Sequence, residues 1–185
     1  MSTAIRWRII LTVLIILIAG GTALTVLLAL GLADPPRIGT LQWQAAAPDD
    51  WPEHTDTTGV RRLDAPVELP EVFTLELTVR NAGPPDSAWG LQLHNGESAL
   101  TILIDNLGYW SLSTDDRPHW AEFMHLRPGK SNQIALTITP NSSAILRINE
   151  EIAWAGSLRA TAWQVVLAGE PQLTWERLAL YYSPE

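Results

Sequence analysis

The sequence predicts an all-β domain, a two-sheet antiparallel sandwich, behind one N-terminal transmembrane helix. Three observations predict it. An apolar run from Ile9 to Ala33 holds neither charge nor proline. Beyond it, short segments alternate apolar and polar residues with the period of two that marks half-buried strands. Turn formers separate these segments at spacings of about 8–15 residues, the rhythm of a sandwich or barrel, and none has a helical period. The organisation is then a cytoplasmic N-terminus over 1–8, a membrane helix over 9–33, a linker over 34–37 and an extracytoplasmic β domain over 38–185.

As a helix the first run would extend roughly 37 Å, enough to cross a hydrocarbon core of about 30 Å with some tilt. Its rival reading is a cleaved signal peptide, since Gly31-Leu32-Ala33 before Asp34 has the small-x-small pattern of a cleavage site. Secretory apolar regions are about 7–15 residues long. This run is much longer, which favours an uncleaved anchor. Arg6 and Arg8 flank it on the N-terminal side and place that end in the cytoplasm. Gly20-Gly21, Ala19 and Ala23 are ordinary small residues of a membrane helix, and the stricter G-x-x-x-G pattern is absent.

Asp34-Pro35-Pro36-Arg37 reads as a short, stiff spacer that holds the domain near the bilayer. Ile38 to Ala47 reads as a first strand with Leu41 and Trp43 on one face. Pro48 to Thr58 is rich in turn formers and acids and reads as a loop. Phe73, Leu75, Leu77 and Val79 then alternate with Thr74, Glu76, Thr78 and Arg80. Trp89, Leu91 and Leu93 alternate with Gly90, Gln92 and His94, and Asn95-Gly96 is a strong hairpin signal. Leu100, Ile102 and Ile104 share one face of the next strand, and Asp105 to Gly108 turns into Tyr109-Trp110-Ser111-Leu112. Ser113 to His119 reads as a polar loop, Trp120 to Leu126 as a short strand, and Arg127 to Lys130 as a turn. Ile134, Leu136 and Ile138 define a further strand. It returns through Pro140-Asn141-Ser142-Ser143 to Leu146 and Ile148, and Asn149-Glu150-Glu151 turns into Ile152-Ala153-Trp154. Trp163, Val165 and Leu167 make a late strand, and Trp175 to Tyr182 the last.

Two blocks carry a family resemblance. One holds Phe73 to Val79, Trp89-Gly90-Leu91-Gln92-Leu93 and the strands around Gly108-Tyr109-Trp110. The other runs from Pro128-Gly129 through Asn132-Gln133-Ile134 to Leu146-Arg147-Ile148-Asn149, and Leu178 to Tyr181 closes the chain. This order resembles the concanavalin A-like lectin/glucanase superfamily, near its laminin-G-like and family-16-glucanase-like members, over roughly Ile38 to Tyr182. The resemblance implies a jelly roll of two curved antiparallel sheets whose first and last strands are neighbours. The glucanase branch carries acids at alternate positions of one strand. Here the nearest strand acid, Glu76, has Thr74 and Thr78 at those offsets, so the resemblance implies a binding scaffold rather than a catalyst.

The outer part is long enough to bury a real core without staples. There is no cysteine, which excludes disulfides and thiolate metal sites. An extracytoplasmic domain without disulfides argues for a bacterial surface. The chain carries a net charge of −8, and the part beyond Arg6 and Arg8 carries −10, with Lys130 its only lysine. Such a surface repels nucleic-acid phosphates and anionic headgroups, so no nucleic-acid partner is expected. Nine tryptophans occur, eight of them beyond the membrane segment. Buried indoles fill sandwich cores, while exposed ones stack on ligands.

A glycosidase needs two carboxyl groups about 5–10 Å apart. Asp49/Asp50, Asp115/Asp116 and Glu150/Glu151 are adjacent pairs in turns, and neighbouring residues on a strand point to opposite faces. They read as solvated loop acids. His94, His119 and His125 lack the spacing of a zinc site, and no G-x-S-x-G or phosphate loop occurs. Neither metal nor cofactor is expected. Asn141-Ser142-Ser143 matches a glycosylation sequon and is equally an ordinary hairpin turn. The best ligand-site candidate is the loop holding Asp115, Asp116, His119 and Trp120, which gathers an indole with planar polar groups as sugar recognition requires. Against it stands a plain surface loop with one anchoring tryptophan. Trp51, beside Asp49 and Asp50, is the second candidate. The leading expectation is a single-pass, non-catalytic surface domain that binds a glycan or a surface protein. The rivals are a divergent glycoside hydrolase-like enzyme and a structural or assembly protein of the cell envelope.

Overall fold

The structure, a computed structural model, describes residues 3–29, 37–96, 98–114 and 117–183, with helix side chains described at Trp7 and 10–26. Two compact units result, Met1–Pro36 and Arg37–Glu185. The first contains α1, Thr3–Ala29, a helix of 27 residues. Its described side chains are all exposed and its apolar residues surround the axis instead of forming a stripe. Among the described residues no helix is long and apolar enough to cross a membrane. The side chains over 10–26 account for about 26 Å of apolar length, against about 30 Å of hydrocarbon. A membrane-spanning role for α1 therefore rests on the sequence.

The second unit is an antiparallel sandwich of two sheets, as the sequence predicts. Its strands are β1 (Thr40–Ala45), β2 (Glu53–Thr55), β3 (Arg61–Asp64), β4 (Phe73–Asn81), β5 (Ala88–Asn95), β6 (Ser98–Asp105), β7 (Tyr109–Ser113), β8 (Trp120–Glu122), β9 (Ser131–Ile138), β10 (Ser143–Ile148), β11 (Glu151–Ser157), β12 (Ala162–Ala168) and β13 (Leu173–Tyr182). One sheet has the order β1-β13-β4-β9-β10-β11 and the other β2-β3-β12-β5-β6-β7-β8. The first and last strands are neighbours, as the family resemblance implies.

Alternation builds the core. Phe73, Leu75, Leu77, Val79, Ile134 and Leu136 are wholly buried on one inner face, and Leu91, Ile102, Ile104 and Val165 on the other. The tight turns follow local chemistry. Asn149 and Glu150 adopt φ 51° and 76°, the left-handed pair that a two-residue hairpin turn demands. Gly96 does the same at φ 62° between β5 and β6.

Three expectations need correction. Leu41 and Trp43 do not share a face. The register of β1 on β13 shifts between them, leaving Gln42 as a bulge. One extra residue inverts the parity, so Trp43 packs on the core while Leu41 is 46% exposed. The stretch Pro48 to Thr58 is not all loop: it contains β2, closed onto β3 by Asp56, whose Oδ1 accepts from the Thr58 and Val60 amides at 2.8 and 3.0 Å. The strand expected over Trp120 to Leu126 stops at Glu122. There the chain turns, and the Leu126 amide donates to the Phe123 carbonyl.

Candidate functional site

Pairing register puts one row of residues straight across the outward face of the seven-stranded sheet: His54, Arg62, Val166, Gly90, Leu103, Ser111 and Trp120. Residues opposite each other in antiparallel pairs point to the same side. The neighbouring row is polar throughout, running Asp64, Gln164, Gln92, Thr101 and Ser113. Val166 and Leu103 are buried yet belong to no part of the inter-sheet core. Taller groups on their own side cover them. Arg62 reaches over β12 to donate from Nε to Gln92 Oε1 at 3.2 Å. At the other end His119, just before β8, is tied to this face: its amide donates to Ser111 Oγ at 2.8 Å. Between these two ends the middle of the face, called the trough, is lined by small residues and amides, of which Gly90, Gln92, Ser111 and Ser113 are buried and Thr101 and Gln164 half-buried.

The first rim is charged. Arg62 Nη1 donates to Asp56 Oδ2 at 2.6 Å, and Gln164 Nε2 donates to Asp64 Oδ1 at 2.6 Å. Hydrogen bonds from Thr58 first, and then from Arg62, hold the Asp56 carboxyl well below the usual carboxylate range. Along the floor Gln92 Nε2 donates to Thr101 Oγ1 at 2.9 Å. Gln164 Oε1 and His94 Nε2, both on this face, are buried without a hydrogen-bond partner. The second rim is aromatic: Tyr109 is 40% and Trp120 43% exposed. Arg62 and Trp120 stand five strand spacings apart, about 24 Å at roughly 4.8 Å each.

The expected site residues fall as follows. Trp120 is an exposed indole on the outward face and no part of the core, and His119 is exposed beside it. Asp115 and Asp116 lie outside the described residues. Trp51 is half-buried near the opposite edge of the sheet, packed on Trp163 at 5.3 Å and Trp43 at 5.9 Å. The structure therefore does not bring it to Trp120. With Trp175 it lines a cavity of about 300 Å³ whose mouth carries Asp49, Glu53 and Arg61. Sequence reasoning missed Arg62, Asp64, Gln92, Thr101 and Gln164. For Gln92, Thr101 and Gln164 the signal was the polar half of an alternating strand, whereas Arg62 and Asp64 lie on β3, a short strand that sequence reasoning also missed; only the register aligns all five.

Glu76 anchors a separate polar cluster on the outward face of the six-stranded sheet. It is 2% exposed and takes Arg37 Nε and Nη2 at 3.2 and 2.9 Å, Tyr181 Oη at 3.1 Å and the Gln133 amide. Arg177 Nε lies 3.1 Å away, off the hydrogen-bond line. Burial pushes this carboxyl up, but the bonds and charge of Arg37, then Arg177 and Tyr181, outweigh it and leave it below its ordinary value. Among the described residues no group of three His, Asp or Glu side chains is placed to hold a metal ion.

No protein-family model matches the chain, and no curated protein matches it in sequence. Solved structures resemble it in fold. The carbohydrate-binding module CBM66 from Bacillus subtilis has a TM-score of 0.50 at 8% identity, covering 79% of this chain and 99% of that one. The carbohydrate recognition domain of Emp46p, in its metal-free form, has a TM-score of 0.51 at 14% identity, covering 67% and 78%. The shared fold is a two-sheet jelly-roll sandwich. A β-glucanase from Bacillus licheniformis also resembles it, with a TM-score of 0.47 at 7% identity over 71% of this chain and 82% of that one. At such identities the likeness concerns the fold alone.

Proposed function

We propose that the chain is a membrane-anchored, non-catalytic domain that binds an extended glycan along the outward trough of its seven-stranded sheet. One observation carries this reading: the register lines up charged rim, amide floor and exposed indole in adjoining rows across the strands. Saccharides need that combination, an aromatic face for their C–H surface and planar polar groups for their hydroxyls. The span from Arg62 to Trp120 exceeds a single ring and suits a chain. Two of the similar folds are a carbohydrate-binding module and a carbohydrate recognition domain, which makes glycans the first ligand class to test.

Three acids of this face support binding over hydrolysis, while Glu122 is exposed near Trp120. Asp56 is tied to Arg62 and Asp64 to Gln164, while Asp105 Oδ1 accepts from the Leu107, Gly108 and Tyr109 amides. A glycosidase needs two carboxyl groups set across the scissile bond and able to exchange protons. Anchoring is supported by the charge-free run from Ile9 to Ala33 and by a helix apolar on every side, a pattern suited to hydrocarbon.

The full-length chain in detergent, displayed on a glycan array, tests the reading. We expect an oligosaccharide hit whose affinity falls in both Trp120→Ala and Thr101→Val. Turnover of any glycosidic substrate would overthrow the non-catalytic claim. A hit indifferent to both variants would place the site outside the trough.

A further inference from the structure

We propose that the cavity beside Trp51 is a second saccharide site, one that takes a single neutral terminal sugar ring. The proposal rests on the glycan reading but concerns a different place. The cavity opens by the β2–β3 edge of the seven-stranded sheet, while Trp120 stands on the edge strand β8. Six strand spacings, about 29 Å, separate those edges.

The chemistry of the lining selects the ligand. Trp51 and Trp175 are half-buried and fixed from behind, Trp51 by Trp163 at 5.3 Å and Trp175 by Trp89 at 6.4 Å. They offer indole surface with little freedom left to lose, which favours binding. Leu63 closes part of the floor. The mouth holds two carboxylates, Asp49 and Glu53, and one guanidinium, Arg61, with Arg61 Nη1 3.5 Å from Glu53 Oε1. An anion would meet the repulsion of both acids, and a cation, though drawn to them, would meet that of Arg61. A neutral polyol suffers neither repulsion, and each hydroxyl can donate to a carboxylate while accepting from the guanidinium. The volume, about 300 Å³, lies at the small end of ligand pockets and suits a ring rather than a chain.

The test reads the indole N–H resonances of the ¹⁵N-labelled full-length chain, assigned by single Trp→Phe variants. The probes are the methyl glycosides of glucose, galactose, mannose, fructose and N-acetylglucosamine at millimolar concentration. We expect at least one to shift Trp51 and Trp175 and to leave Trp120 in place. The double variant Asp49→Asn, Glu53→Gln should weaken that shift about ten-fold or more, the scale of lost charge-assisted hydrogen bonds, whereas Trp120→Ala should leave it unchanged. Silence of Trp51 and Trp175 towards all five probes would overturn the proposal. So would a response to tetramethylammonium or sulfate in place of the sugars. Neither result touches the trough, which is judged by whether array hits move Trp120.

Discussion

Glu76 holds the fold, and Trp120 is the residue proposed to meet a ligand. Glu76 is a strand residue on an outward face and reads as solvated, yet Arg37, Tyr181 and Gln133 enclose it. A carboxyl held below its ordinary value of 4.5 contributes stability above its unfolded value and loses it as the pH falls through the folded one. Thermal melts should therefore show the domain losing stability below about pH 4.5. Glu76→Gln should cost about 1–3 kcal/mol near neutrality, since it strips the partner from half-exposed Arg37 and Arg177. That difference should close in acid, and a gap constant with pH would show that the charge of Glu76 is not what holds the cluster. Trp120 makes the opposite case. It packs in no core, so Trp120→Ala should leave the melting temperature within a degree or so, as exposed substitutions do. The same change should weaken glycan binding several-fold, because one stacked indole contributes on the order of 1 kcal/mol. A large loss of stability would mean that the indole is structural.

At the scale of the strand, the period of two decides the fold, and deletions in it should show. Leu77 and Leu136 are wholly buried, so either change to Ala should cost about 2–5 kcal/mol in denaturant unfolding. An unchanged midpoint for either would place it outside the core. Gly90 is the sharper case. A Cβ there would lie 1.8 Å from the Ile102 carbonyl oxygen, and only backbone movement between β5 and β6 would relieve that contact. Gly90→Ala should therefore destabilise the domain and disturb the trough floor together, seen as a lower melting temperature and shifted amides at Gln92 and Thr101. The same periodicity explains what was legible in the sequence. Phe73 to Val79 and Ile134 to Ile138 announce themselves because apolar and polar residues alternate without interruption. β2 does not, because its three exposed residues, Glu53 to Thr55, bury no apolar side chain and are held by pairing and polar contacts to β3. The parity of Leu41 and Trp43 fails at a bulge, which has no marker in a six-residue strand. Of the candidate site, the mixture of indole and polar groups around Trp120 was legible, but the exposure of that indole was not, since a loop tryptophan anchored in the core has the same local sequence. The amide floor was not, because Gln92, Thr101 and Gln164 come from β5, β6 and β12 and meet only through register.

The whole chain joins an apolar segment to an acidic one, and each constrains where the other can be. Residues after the apolar run carry −10 and a single lysine, so they gain nothing from an anionic membrane surface. Arg6 and Arg8 precede the run and favour retention of that end in the cytoplasm. Arg37 lies beyond the run, and its guanidinium is committed to Glu76, which weakens any pull it would exert on the opposite orientation. We therefore expect the β domain to lie outside the cytoplasm. Protease added to intact cells, with any outer envelope permeabilised, should remove the domain and spare a small anchored stub. Intact-mass measurement separates the two readings of the N-terminus. An anchor keeps residues 1–33 on the mature chain, and a signal peptide would leave it starting at Asp34. Full protection of the domain would reverse the topology. Release of the entire chain by alkaline carbonate, which strips peripheral proteins but not spanning helices, would show that α1 does not cross the bilayer. In that event the proposed glycan site would stand on a domain held at the membrane surface by some other means.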